Sequence, residues 1–130
     1  MRYLILFVLL LSPVISVACS CAPSSDEDAY ERSKVVFLVK VTEAKLVNGS
    51  PFDLVRAKFD VIEKFKGEAI NVETLESTAT STCATALLPG HQYLVYSNND
   101  PIKHINACTR SRWVNAVREK ELLERYRNEQ

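Results

Sequence analysis

The sequence predicts a small, mainly β domain: a five-stranded Greek-key barrel of the OB type with a helix at each end. Three observations lead there. Short apolar or alternating segments recur between turns built from Asn, Gly and Pro. After residue 18, helical patterns occur only near the start and at the end. Four cysteines, at 19, 21, 83 and 108, offer staples between the start of that region and its later half. Several sandwich topologies give the same string of elements.

Met1–Ala18 reads as a signal peptide. Arg2 supplies the positive charge, Tyr3 to Leu11 is continuously apolar, Pro13 breaks a helix, and Ser16-Val17-Ala18 presents a small-x-small cleavage site. A membrane anchor is the alternative, since the uncharged stretch Tyr3–Cys21 has 19 residues, near the spanning minimum of about 17–20. Pro13 and the small residues favour cleavage instead. A lipoprotein signal is also cleaved just before a cysteine, but Ser16 stands where Leu is usual and Val17 is bulky. Export to the extracellular side is therefore expected, with periplasmic or Cys19-lipid-anchored placement as alternatives.

Cleavage after Ala18 would leave 112 of the 130 residues, enough for one modest core and one domain, 19–130. Basic and acidic residues balance at 16 each over the whole chain, 15 against 16 once Arg2 is removed. Such a surface gives no electrostatic footprint for nucleic acid or an anionic membrane.

The elements then follow in order. Ser24-Ser25-Asp26-Glu27-Asp28 is a helix start, a serine cap followed by acidic residues where the helix dipole favours them. That helix should end near Ser33. Val35–Val41 is an apolar, β-branched run and should form a strand buried on both sides. Asn48-Gly49-Ser50-Pro51 turns the chain into a return strand, in which Val55, Ala57, Phe59 and Val61 share one face. A third strand is expected near Ile70–Leu75, a fourth at Tyr93–Tyr96, and a fifth from about Ile102 to Cys108. From Arg112 onward, Trp113, Ala116, Val117, Leu122, Leu123 and Tyr126 recur at helical spacing, which predicts an amphipathic helix against the sheet.

An even cysteine count in an exported small domain predicts two disulfides. A Cys19–Cys21 bridge would close a strained ring across one residue. Either of the other two pairings ties the N-terminal end to the neighbourhoods of Cys83 and Cys108. Metal ligation fits poorly, because paired CxxC spacing is absent and export favours oxidation.

Catalytic constellations are equally thin. His91 and His104 each sit beside a turn, no serine lies in a GxSxG context, and three glycines make no phosphate loop. The carboxylates are single or lie in helical surface runs. No enzyme activity and no cofactor of its own are expected. Asn48-Gly49-Ser50 has the form of a glycosylation sequon, but Pro51 follows it, and it reads as a turn. An OB fold that binds oligonucleotide or saccharide would want a basic, aromatic face that this chain lacks.

The cysteine pattern resembles the N-terminal inhibitory domain of the tissue inhibitors of metalloproteinases, within the wider netrin-like (NTR) modules. Cys19-Ser20-Cys21-Ala22-Pro23 is similar to that family's mature N-terminus. Val35–Val41 resembles its first strand, and Phe59–Gly67, ending Phe65-Lys66-Gly67, its second. Ser81-Thr82-Cys83, Tyr93–Tyr96, and Cys108 followed by Trp113 and the helix ending Arg125-Tyr126 continue the match. The resemblance implies an OB-like barrel with bridges Cys19–Cys83 and Cys21–Cys108. It also implies that the Cys19 α-amine and carbonyl chelate the catalytic zinc of a target metalloendopeptidase. Ser20 would then enter the primed-side pocket, with Cys21, Ala22 and Pro23 along the cleft and Thr80, Ser81 and Thr82 beside them. The partner implied is a zinc metalloendopeptidase bound by a monomer. One departure stands out: the third disulfide usual in animal members has no cysteines here. The alternative is a non-inhibitory NTR binding module, anchored through Cys19 if that residue is lipidated.

Overall fold

The computed structural model describes residues 19–130. The signal-peptide reading of Met1–Ala18 falls outside the described residues. Helix α1 (Asp26–Arg32) is opened by Ser25, whose Oγ accepts from Asp28 N at 3.1 Å while Asp28 Oδ2 accepts from Ser25 N at 3.2 Å. Two orphan amides are satisfied at once by this reciprocal box. At the other end, Lys66 Nζ donates to the carbonyls of Tyr30 and Glu31 at 2.6 and 3.1 Å, the favoured sign for a helix C-terminus.

Strands β1 (Val35–Val47) and β2 (Leu54–Lys66) form a long antiparallel hairpin. Next come β3 (Thr74–Thr78), β4 (Gln92–Ser97), β5 (Ile102–His104) and β6 (Arg112–Trp113), and helix α2 (Lys120–Asn128) follows. The sheet order is β5-β3-β2-β1-β4-β6. All neighbours are antiparallel except β3 and β5.

The first half of β1 is buried on both faces, as its continuous apolar run predicts. Val35, Phe37, Val39 and Val41 point into a core shared with Ala57, Leu75, Tyr93, Val95 and Ile105. Val36 and Leu38 point the other way, into a second core with Phe65, Leu94 and Tyr96. Both helices cover that second face through Ala29, Leu122, Leu123 and Tyr126.

Three expectations are corrected. The described residues hold six strands, because Arg112–Trp113 pairs with Tyr93 and Leu94 rather than opening the last helix. Trp113 and Val117 are consequently exposed, 52 % and 84 %. The third strand begins at Thr74, since the side chain of Asn99 captures the preceding segment, accepting from Asn71 N at 2.7 Å and donating to Ala69 O at 3.0 Å. The fifth strand stops at His104, because the Asn106 side chain accepts from Cys108 N and Thr109 N and folds residues 106–109 into a turn.

In β2 the alternation also breaks. Register shifts opposite Val36/Phe37 and Leu38/Val39 put bulges beyond Phe59. Val61 and Ile62 are therefore both exposed, and Phe65 turns into the second core rather than the first.

Candidate functional site: the doubly bridged end

Two disulfides fasten the N-terminal stretch, Cys19 to Cys83 and Cys21 to Cys108. The two receiving loops lie side by side. Ala84 bridges Asn106, and Ala107 N donates to Cys83 O at 2.8 Å. The Cys83 loop is shaped by Ser81, whose Oγ accepts from Cys83 N and whose carbonyl accepts from Ala84 N. It is then held to the sheet by Thr85 N donating to the Ser77 Oγ at 2.9 Å. Both bridges thus close on one patch, and the sulfurs of Cys19, Cys21 and Cys108 lie within 4.8 Å of one another.

Beyond the bridges the stretch is open. Cys19 is half-buried, while Ser20, Cys21, Ala22 and Pro23 are exposed. Thr80, Ser81 and Thr82 are exposed immediately before Cys83. Neither Cys19–Ser25 nor Ser77–Gly90 contains a charged residue. The result is a ridge of small, uncharged side chains, exposed at Ser20–Pro23 and at Thr80–Thr82. Among the described residues no cysteine is free, so the three-sulfur cluster has no thiolate to offer a metal.

A charged network lies behind the ridge. Asp26 Oδ1 accepts from Arg110 Nη2 and from Arg112 Nη1, each at 2.8 Å, and Arg112 also reaches Glu119 Oε2 at 3.3 Å. Burial raises the Asp26 carboxyl, but hydrogen bonds and charge from Arg112 and Arg110 outweigh it and leave the group below its ordinary value. Tyr96 and Tyr126 share a hydroxyl contact of 2.7 Å beside it. Burial, then the Tyr126 hydroxyl, pushes the Tyr96 phenol well above its usual value. Ser111, fully buried, closes the network onto β4, its Oγ accepting from Tyr96 N and donating to Tyr96 O.

These positioning residues carry no sequence signal. Asp26 and Arg110 are 84 residues apart, and each looks like an ordinary surface charge until the fold brings them together. The two histidines are placed apart from the ridge in their contacts. His104 Nε2 lies 3.2 Å from Glu76 Oε2, a carboxylate that also accepts from Arg56 Nε at 2.6 Å. The His91 ring packs 6.1 Å from the Trp113 ring.

No protein-family model matches the chain, and no curated protein matches it significantly. Residues and geometry are therefore what a functional reading rests on. Among the described residues no helix is long and apolar enough to cross a membrane.

Proposed function

We propose that this chain is an exported, monomeric inhibitor of zinc metalloendopeptidases, similar in action to the tissue inhibitors of metalloproteinases. In this reading the sheet is an OB-like barrel, and the protein is a ligand for another enzyme's active site with no catalysis or cofactor of its own. One observation carries the proposal: Cys19 and Cys21 are each bridged to adjacent loops, yet Ser20–Pro23 stay exposed.

Cleavage before Cys19 would turn its backbone nitrogen into an α-amine with a pKa of about 8, neutral in useful amount near neutral pH. That nitrogen and the Cys19 carbonyl occupy the open position of the target's catalytic zinc in place of water. Ser20 fills the pocket for the residue after the scissile bond, and Cys21, Ala22 and Pro23 run along the cleft. Thr80, Ser81 and Thr82 widen the contact through the Cys83 loop. Because the bridges fix the end beforehand, little ordering entropy remains to be lost on binding.

The test uses protein recovered after export, with the Cys19 amine verified by intact mass and N-terminal sequencing. It is incubated with a panel of zinc endopeptidases. Inhibition that disappears when one alanine is added before Cys19 supports the mechanism. No inhibition across the panel by verified free-amine protein would sink it for those targets.

The second reading, a non-inhibitory NTR-type binding module, draws on a different observation. Leu88 and Trp113 stand about half exposed around an apolar hollow of about 340 Å³. Under this reading the added alanine leaves partner binding unchanged, and the bridges are staples only.

A further inference from the structure

On the flank of the Cys21–Cys108 bridge, a polar hollow of about 240 Å³ collects cations from three separate elements. Arg32 comes from the end of α1, Lys103 from β5, and Arg110 from the loop before β6. Ser33 and Asn98 add uncharged polar groups, and no carboxylate lines the hollow. At that size it has room for a small anionic group.

The three cations differ in what already holds them. Arg110 is committed to Asp26 through Nε and Nη2. Arg32 donates only to uncharged oxygens, the Asp28 carbonyl at 3.2 Å and Ser24 Oγ at 3.1 Å. The Lys103 ammonium has no hydrogen-bonding partner among the described residues; Asp100 acts on it only through charge. Its ammonium is partly desolvated, and burial lowers its pKa although Asp100 opposes the shift. A partly buried cation without a bonded anion is costly, and an incoming anion would relieve that cost.

We propose that this hollow is a binding site for a tetrahedral oxyanion, a phosphate or sulfate group, with Lys103 and Arg32 as its principal donors. The lining cations come from three separate elements and offer several N–H donors, enough to meet more than one oxygen of a tetrahedral group. The site is independent of the protease-inhibitor reading, since it uses none of residues 19–23 or 80–82. It adjoins Cys108, so occupancy would brace the loop that receives the second bridge.

The experiment is an amide-resolved NMR titration of the exported protein with inorganic phosphate, at ionic strength held constant with chloride. Saturable shifts confined to Arg32–Ser33, Ser97–Asn98, Lys103 and Arg110–Ser111 are expected. Lys103→Gln should weaken the apparent affinity about tenfold or more, the scale of one charge-assisted hydrogen bond. Lys45→Gln, on the exposed β1 surface, should leave it unchanged. Parallel titrations with O-phosphoserine and a sulfated monosaccharide distinguish the sources. Tighter binding of either ester, or equal binding of all three, supports the site and names what it takes. Linear shifts spread over surface lysines, or an unchanged titration in Lys103→Gln, overturn it. Should Lys103→Gln fail to fold, Arg32→Gln takes its place with the same expected loss.

Discussion

The Sγ atoms of Cys19 and Cys108 lie 3.6 Å apart although they belong to different disulfides. A thiolate formed at Cys19 would therefore stand within reach of the neighbouring bridge. Attack on Cys108 Sγ forms a Cys19–Cys108 bond, breaks Cys21–Cys108, and leaves the electron pair on Cys21. The Cys83→Ser variant should accordingly contain both Cys21–Cys108 and Cys19–Cys108 linkages, each with the remaining thiol. Its stability should fall by about 2–5 kcal/mol, the usual cost of losing a native bridge in a small secreted domain. Non-reducing peptide mapping reads the linkages, and a single Cys21–Cys108 species would contradict the exchange.

Asp26 makes acid stability predictable in sign. Its folded carboxyl sits below the ordinary value of 3.8, because the Arg112 and Arg110 interactions outweigh burial. A depressed folded value gives a contribution that is complete above the unfolded pKa and is lost as pH falls through the folded one. Asp26→Asn should therefore cost about 1–2 kcal/mol at pH 7. The difference between Asp26→Asn and wild type should then shrink below about pH 4, near the free carboxyl value. Denaturant titrations at neutral and acid pH check this, and a difference that stays constant would refute it.

Two glycines with positive φ should respond unequally to alanine. Gly67 has φ +93°, and an added Cβ would sit 2.6 Å from Val35 Cγ1 and 2.8 Å from Lys34 O. Gly90 has φ +85° with nothing within 4 Å of the same position. Gly90→Ala should cost about 1 kcal/mol for backbone strain alone. Gly67→Ala adds overpacking against the start of β1 and should cost about 3 kcal/mol. Thermal unfolding of the two variants gives the order; equal losses would remove the steric argument.

Ser20 separates a binding role from a folding one. It is exposed between the two bridged cysteines, so Ser20→Arg should change stability by less than about 0.5 kcal/mol. Under the proposed mechanism the same change should alter inhibition constants by about tenfold or more, unevenly across a protease panel, because one side chain fills a differently shaped pocket in each. Uniform, unchanged inhibition would show that Ser20 does not enter the pocket.

Legibility in the sequence followed the range of the forces involved. The core of β1 is readable because five consecutive apolar residues, Val35–Val39, can be satisfied only by burial on both faces. The α1 cap was readable in kind, with Ser25 as the capping residue of the Ser24-Ser25 pair. The last helix begins later than its periodicity implies, because Trp113, Ala116 and Val117 have i, i+3, i+4 spacing and Ala116 falls in helical phase with Leu123. Pairing of Arg112–Trp113 with β4, and the long-range hold of Asp26 on Arg112, decided that segment instead. Local periodicity carries no trace of either. In the candidate site the cysteines, with Ser20 between the first two, stand out by type and spacing, while Thr80, Ser81 and Thr82 enter only through the family resemblance. Arg110, Ser111 and Asn106 did not, because their roles exist only once distant strands meet.

The double-faced burial of β1 bears on how the exposed ridge would fail. Its inner side chains belong to one core and its alternate side chains to the other, so neither core can melt while the other keeps β1 in place. The Cys83 loop hangs from β3 through Ser77, and the Cys108 loop from β4 through Ser111. Release of the bridged end should thus coincide with collapse of the whole sheet, without a softer stage before it. On heating, the end would behave as a switch with a single threshold, holding its shape until the domain is lost.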